Sequence, residues 1–264
     1  MSGIDAATAF PALATLHPID LEELLCRATL QTRVDRKYVL PLASAGVLLA
    51  GMARTARILE IDKQRCFGYE SLYYDTPELT TYLLATQGRR RRFKVRRRVY
   101  LDSGVSYLEV KTCGIRGNTV KQRRPYDATA SDELTGEDRS FVAEVLRKAG
   151  IKDARYDAFC PTLRTSYRRS TLYLPDSNSR ITVDTDVTWA LRDGTRLNLE
   201  GVSIIETKAA GSASVADRQL WALGHRPCRI SKYCTGLAAF RDDLPSNKWR
   251  AIMRRHPALR PPDG

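Results

Sequence analysis

The sequence predicts an α+β chain, an antiparallel sheet or barrel with a few inserted helices. Three observations predict it: many segments carry side chains alternating with period two, short turns separate several of them, and helical segments are spaced between. The most informative strand is 90–101. There Arg92, Lys94, Arg96 and Arg98 alternate with Phe93, Val95 and Val99, with Arg97 the exception. Strand side chains point to opposite faces in turn. One face is therefore mostly apolar and the other is a row of positive charge.

Taken in order, residues 1–19 are expected to form a flexible N-terminus and 20–27 a helix. A strand at 30–40 and a helix at 42–53 come next, then strands at 56–62 and 66–74 and a helix at 77–86. Strands at 90–101, 105–112 and 117–124 are joined by Asp102-Ser103-Gly104 and by the turn at 114–118. The polar stretch 129–137 is a loop, and Thr135 can cap the helix at 136–149, which has Glu137 and Asp138 in its first turn. Beyond it lie strands at 162–174, 179–190 and 202–208, the last two separated by a turn at Asp193-Gly194. Helices are expected at 213–223 and 235–242, with one domain over 20–242 and a loose tail at 243–264.

The 264 residues carry a net charge of +13, with an isoelectric point near 9.7 and a mean hydropathy of -0.36. That balance predicts an anionic partner. Apolar runs fall short of membrane-spanning length, and no cationic n-region precedes residue 17, so a cytoplasmic location is expected. Six scattered cysteines without C-x-x-C, and three distant histidines, support neither a zinc site nor a disulfide framework. Neither G-x-G-x-x-G nor G-x-x-x-x-G-K-[ST] is present, so dinucleotide and P-loop folds are not supported.

The alternation of strand 90–101 repeats elsewhere. One face reads Gln31, Arg33, Asp35, Lys37; others read Tyr107, Glu109, Lys111, then Thr119, Lys121, Arg123, then Thr165, Tyr167, Arg169. Further on, Arg180, Thr182, Asp184 share a face, as do Glu206 and Lys208, and Ser231-Lys232-Tyr233 comes after them. A single such strand reads as a solvated face. Repetition suggests a lumen for a chain of phosphates, gripped by Arg forks and Lys point charges, with carboxylates for a bridging metal. Arg96, Arg98 and Lys208 read as inward cations with no alternating acid to neutralise each one.

These residues form ordered motifs. They are Arg33-Val34-Asp35-Arg36-Lys37-Tyr38, Lys94-x-Arg96-x-Arg98, Leu108-Glu109-Val110-Lys111, Lys121-x-Arg123, Tyr167-x-Arg169, Arg180-Ile181-Thr182-Val183-Asp184, Ile205-Glu206-Thr207-Lys208 and Ser231-Lys232-Tyr233. In that order, over about residues 20–242, they resemble the VTC domain, the polyphosphate polymerase branch of the triphosphate tunnel metalloenzyme (CYTH-like) superfamily. The resemblance implies an eight-stranded antiparallel β-barrel, the triphosphate tunnel, with helices packed outside. It implies transfer of the γ-phosphate of ATP to a growing polyphosphate chain with Mn2+ or Mg2+.

Carried over by position, Lys37, Arg96, Arg98, Lys208 and Lys232 are the catalytic cations. Arg33, Lys94, Lys111, Lys121, Arg123, Tyr167, Arg169, Arg180 and Ser231 bind phosphate, and Glu206 holds the metal, with Glu109, Asp35 and Asp184 as weaker candidates. The hydrolytic and cyclase relatives begin with E-x-E-x-K. Here those two Glu positions are Arg33 and Asp35, which favours the polymerase branch.

The expected ligands are ATP and polyphosphate or inorganic triphosphate and pyrophosphate, without nucleic acid; a membrane-associated partner is compatible with the absence of a transmembrane segment. The rival readings are a tunnel-type triphosphatase and a non-catalytic module binding polyphosphate or nucleic acid. The nucleic-acid reading calls for aromatics interleaved with the basic residues. Phe93 and Tyr38 lie on the face opposite the cations, which argues against it.

Overall fold

The computed structural model describes residues 10–27, 34–114, 119–151 and 155–259. In chain order the elements are β1 (His17–Ile19), α1 (Leu21–Arg27), β2 (Val34–Pro41), α2 (Leu42–Gly51), β3 (Arg57–Leu59), β4 (Phe67–Asp75), α3 (Thr80–Gln87), β5 (Phe93–Tyr100), β6 (Ser106–Cys113), β7 (Thr119–Pro125) and α4 (Gly136–Lys148). Then come β8 (Cys160–Leu174), β9 (Ser179–Ala190), β10 (Arg196–Leu199), β11 (Val202–Ala209), α5 (Val215–Ala222), α6 (Lys232–Phe240) and α7 (Arg250–Arg255). Each strand and helix expected from the sequence is present, with shifted ends; positions 30–33 and 117–118 of two expected strands lie outside the described residues. The short β1 and β10 and helix α7 were not anticipated.

The chain divides into two compact units. The first takes in residues up to Gly68, Tyr167–Val187 and Leu199–Ile230; the second takes in Tyr69–Ser166, Thr188–Asn198 and the chain from Ser231 on. In the first unit the sheet order is β2-β11-β9-β8, and in the second β8-β4-β5-β6-β7. The ladders β2–β11, β11–β9, β4–β5, β5–β6 and β6–β7 are antiparallel. The order ends at β2 and at β7, so the barrel closure expected from the sequence is not made by the described ladders.

In the first unit the apolar sheet face carries Tyr38, Leu40, Leu172, Ile181, Val183 and Ile205. It packs against Leu48, Leu49 and Met52 from α2 and its end, and against Ala216 and Leu220 of α5. Helix α5 starts with a capping box in which Ser214 and Asp217 satisfy each other's backbone N–H. Asp217 is fully buried and also accepts hydrogen bonds from Tyr38 and Thr207, 2.7 Å each. Burial pushes its carboxyl up, but the bonds from Thr207, Tyr38 and Ser214 outweigh it and hold it low. One charge thus pins the helix to β2 and β11. Phe10, Leu13 and Leu16 join the same core. The described part of the N-terminal segment is therefore packed, not loose as expected, because its apolar residues recur every third position on a 3-10 turn.

In the second unit Leu72, Tyr74, Phe93, Val95, Leu108 and Val110 pack against Val142, Val145 and Leu146 of α4. Thr135 caps this helix as expected, and Asp138 completes a capping box with it. Arg97, the exception on the apolar face of β5, is buried here. Its guanidinium donates to Ala130 O and Ser131 O at 3.1 Å and to Asp132 Oδ1 at 2.5 Å. It ties the 129–132 loop to the sheet.

Helix α6 begins at Lys232 rather than 235, because the Ser231 hydroxyl accepts from Cys234 N at 3.1 Å as its N-cap. A side chain at Gly236 would meet the Trp189 ring, 2.1 Å from a Cβ, so only glycine lets α6 approach β9 this closely. After 243 the chain was expected to be loose. Instead Trp249 and Ile252 are buried, and Trp249 packs on Tyr82 with ring centroids 5.6 Å apart.

Candidate functional site

Each unit carries its own cationic sheet face, opposite its apolar core. In the second unit the register lays the residues out in rows. Lys94 stands opposite Lys111, and Lys111 opposite Lys121. The next row is Tyr73, Arg96, Glu109 and Arg123, and the one after it Ser71, Arg98 and Tyr107. Like charges directly opposite one another destabilise a sheet. The lysine row therefore carries an electrostatic cost within the sheet.

Glu109 is fully buried among these cations. Arg96 donates to its Oε2 at 2.8 and 2.6 Å, and Lys121 to its Oε1 at 3.2 Å. Burial alone would push the Glu109 carboxyl up; Arg96, Arg98 and Lys121 hold it far below the usual carboxylate range. Burial likewise lowers the Lys121 ammonium, against the pull of Glu109. Arg98 donates to Ser71 Oγ at 3.3 Å, and Lys94 donates to Ser231 Oγ at 2.6 Å. Ser231 therefore both caps α6 and receives the first lysine of the row. Lys232 opens α6, and its carbonyl accepts from Trp189 Nε1 at 2.6 Å. Arg123 is exposed and stacks over the Tyr107 ring at 4.4 Å. Of the acids here, Asp75 is pushed up by burial and spends its oxygens on Tyr233, Thr81 and three backbone N–H groups.

In the first unit Glu206 stands opposite Lys37 and Thr182, and Lys208 opposite Asp35 and Arg180. Lys208 Nζ is bonded to Glu206 and lies 3.5 Å from Asp35 Oδ2, so two carboxylates converge on one ammonium. Burial would raise the Glu206 carboxyl, but Lys37, Lys208 and Arg169 hold it well below its ordinary value. Burial lowers Lys208, with Glu206 and Asp35 opposing. Lys37 Nζ reaches Ile230 O at 3.4 Å. Arg169 clamps Asp184 with two bonds, 2.5 and 2.8 Å, and lies over the buried Tyr167 ring at 5.1 Å. The hydroxyl of Thr182 is buried with no hydrogen-bond partner.

The structure thus gathers Lys94, Arg96, Arg98, Lys111, Lys121, Arg123, Glu109, Ser231 and Lys232 in the second unit, and Lys37, Lys208, Arg169, Arg180, Tyr167, Asp35, Asp184 and Glu206 in the first. Arg33 lies outside the described residues. Two expectations need correction. Arg96 and Lys208 do have carboxylate partners, Glu109 on the neighbouring strand β6, and Glu206 and Asp35 around Lys208. The aromatics stand on both faces, which narrows the case against nucleic acid: Phe93 and Tyr38 lie opposite the cations as expected, but Tyr69 and Tyr73, together with Tyr107 and Tyr167 that the alternation had already put on the polar face, lie under Arg98, Arg96, Arg123 and Arg169.

Sequence reasoning missed Tyr73 and Ser71. Their strand was identified, and its alternation Tyr69, Ser71, Tyr73, Asp75 marks the polar face, but it carries no basic residue to draw attention. Tyr73 is buried, accepts from Arg96 at 3.2 Å and stacks on Tyr233 at 5.1 Å. Burial would push its phenol up; Arg96, Arg98 and Lys94 draw it down to about 8. The unfolded chain holds that proton up to about pH 10. Between about pH 8 and 10 the unfolded state binds more protons, so stability rises with pH there and is lost again as pH falls through 8. Tyr73→Phe is expected to flatten that rise and to remove one tyrosinate from the ultraviolet titration near pH 8. Identical titrations of the two proteins would refute the shift.

Among the described residues no three His, Cys, Asp or Glu side chains cluster as a metal site. The convergence of Glu206 and Asp35 still fits a hard divalent cation. Mg2+ is commonly held by one or two carboxylates plus phosphate and water. Asp184 and Glu109 fit less well: both Asp184 oxygens are held by Arg169 and both Glu109 oxygens by Arg96 and Lys121, whereas Lys208 meets one oxygen each of Glu206 and Asp35.

A family model described as the VTC domain matches residues 32–241. No curated protein matches the chain. Among solved structures, an adenylyl cyclase candidate from Hippeastrum, described as having a dominant triphosphatase activity, is 14% identical, with TM-score 0.48 over 81% of this chain and 98% of its own. Candidate adenylate cyclases from Bacillus halodurans and Vibrio parahaemolyticus are 9% and 15% identical, with TM-scores of 0.42 and 0.38. The former covers 88% of this chain and 94% of its own, the latter 74% and 87%. At such TM-scores these likenesses carry no inference about the chemistry of this chain.

Proposed function

The chain belongs to the VTC domain family, and on that premise we propose that it is a metal-dependent polyphosphate polymerase, moving the γ-phosphate of ATP to a polyphosphate end. The observation that carries the reading is the face of β4–β7. There, among the described residues, Lys94, Arg96, Arg98, Lys111, Lys121 and Arg123 share a face with Glu109, whose carboxylate pairs with Arg96 and Lys121. Such an excess suits a ligand bearing several phosphates and suits no neutral one. Phosphoryl transfer asks for positioning and charge neutralisation more than for covalent chemistry. Arg96 and Arg98 supply rigid forks for phosphate oxygens, while Lys94, Lys111 and Lys121 supply adjustable point charge.

Glu206 with Asp35 would hold Mg2+ or Mn2+. When bound, the ion supplies further neutralisation of phosphate oxygens. Lys37, Lys208 and Arg169 keep the Glu206 carboxyl ionised for that role. A cytoplasmic setting goes with ATP as donor, and among the described residues no helix is long and apolar enough to cross a membrane.

The test incubates purified protein with ATP and Mn2+ or Mg2+ and analyses the products. Long polyphosphate supports the reading; orthophosphate alone would replace it with a triphosphatase. Binding is read separately by melting. A ligand selective for the folded state stabilises by roughly 2.7 kcal/mol at a hundredfold excess over Kd. Tripolyphosphate is expected to raise Tm by several degrees, more than sulfate at equal ionic strength, and to move the Tyr73 titration upward as it neutralises Arg96 and Arg98. A matching shift with duplex DNA would favour a nucleic-acid module.

A further inference from the structure

We infer that Tyr69, Tyr100 and Tyr107 form the subsite that receives the base of a nucleoside triphosphate. The inference rests on the proposed phosphate-binding role of the β4–β7 face and adds where the nucleoside goes. Tyr69 stands opposite Tyr100 in the β4–β5 register, with ring centroids 5.1 Å apart. Tyr107 meets Tyr100 edge-on at 6.2 Å. All three are only partly buried, and none belongs to the hydrophobic core of the second unit, which lies on the other face of the sheet. The core of the second unit therefore does not account for three aromatic rings meeting here. Two guanidiniums complete the cluster, Arg98 over Tyr69 at 5.5 Å and Arg123 over Tyr107 at 4.4 Å.

Position along the strand gives the cluster its meaning. On β5 the same face reads Lys94, Arg96, Arg98, Tyr100, one residue every roughly 6.8 Å. On this strand the last charged residue of the face, Arg98, is followed by Tyr100. A ligand made only of phosphate has no use for that end. A nucleoside triphosphate has the matching order, an anionic tail and then a flat π-system, with a sugar as spacer. Bases stack on aromatic rings and guanidinium planes with little dependence on sequence. The site is therefore expected to accept purine and pyrimidine nucleotides alike, with a modest purine preference from larger ring overlap.

Calorimetric titration tests this with two probes, the β,γ-imido analogue of ATP and inorganic tripolyphosphate. Loss of one stacking partner is expected to weaken the imido analogue roughly tenfold in Tyr100→Ala and Tyr107→Ala. Tripolyphosphate affinity should stay within about twofold, which also shows that the variants are folded. Tyr100→Phe keeps the ring and should keep nucleotide affinity. Unchanged nucleotide affinity in both alanine variants would overturn the inference. So would an equal loss for both probes, which would reduce the tyrosines to props for Arg98 and Arg123. Single-stranded oligonucleotide binding more tightly than the imido analogue, and lost in the same variants, would overturn it in favour of a nucleic-acid surface. Failure of the wild-type protein to bind tripolyphosphate at all would instead bring down the phosphate reading beneath it.

Discussion

Glu206→Gln is expected to abolish phosphoryl transfer while leaving tripolyphosphate binding intact or slightly tighter. The substitution keeps the shape of the side chain and removes its charge. Glu206 sits on β11 opposite Lys37, bonded to Lys208, with Arg169 close enough to help hold its carboxyl ionised. Loss of the charge takes away the stronger of two converging carboxylates and frees Lys208 toward an anionic ligand. The phenotype distinguishes a metal ligand from a mere ion-pair partner. Loss of a metal ligand leaves an inactive protein that still binds phosphate. Loss of a structural partner leaves activity in place and lowers Tm, because breaking a largely buried pair strands the ammonium. Product assay, calorimetry with tripolyphosphate and a melt of the same sample separate the two. Retained metal-dependent turnover would return Glu206 to the role of counter-ion for Lys208.

Arg98→Ala is expected to cut polymer synthesis at least tenfold, since a charge-assisted contact to phosphate is worth roughly 1.5–3 kcal/mol. Arg98 donates to Ser71, and its charge both repels Arg96 and helps hold Glu109 ionised. These two effects oppose each other, so the stability of the free protein is expected to change little. Arg96→Ala should lose as much activity but also stability, because Glu109 would remain fully buried with Lys121 as its remaining ion-pair partner. Arg97→Ala should show the reverse. It breaks the ties to Ala130, Ser131 and Asp132 and lowers Tm, yet leaves the turnover of folded molecules near that of the wild type. Three neighbouring arginines thus carry three different signatures. Equal losses of activity at Arg97 and Arg98 would reject the assignment of faces.

That contrast shows how far the sequence could be read. Period-two alternation alone placed Arg96 and Arg98 on one face and Arg97 on the other. It could not supply Asp132, since the partner of Arg97 is brought by a loop more than thirty residues away. Nor could it supply Tyr73. Alternation is a local property, and a strand whose polar face holds only tyrosine, serine and one aspartate reads as ordinary until its neighbour is known to be β5.

By itself the sequence determined the order and kind of the elements, the face on which each strand residue stands, the excess of positive charge and the family motifs. Backbone geometry dictates these from near neighbours alone: a residue and the one two places on share a face whatever lies beyond. Only the tertiary structure decided which charges neutralise each other and which stand together. Register put Lys94, Lys111 and Lys121 in one row, buried Glu109 between Arg96 and Lys121, and turned both Glu206 and Asp35 toward Lys208. It packed the N-terminal Phe10 and the late Trp249 where looseness was expected. These outcomes depend on pairings between residues distant in the chain. Such pairings are selected by the burial of whole sheet faces against α2, α4 and α5, and no short window of sequence contains that information.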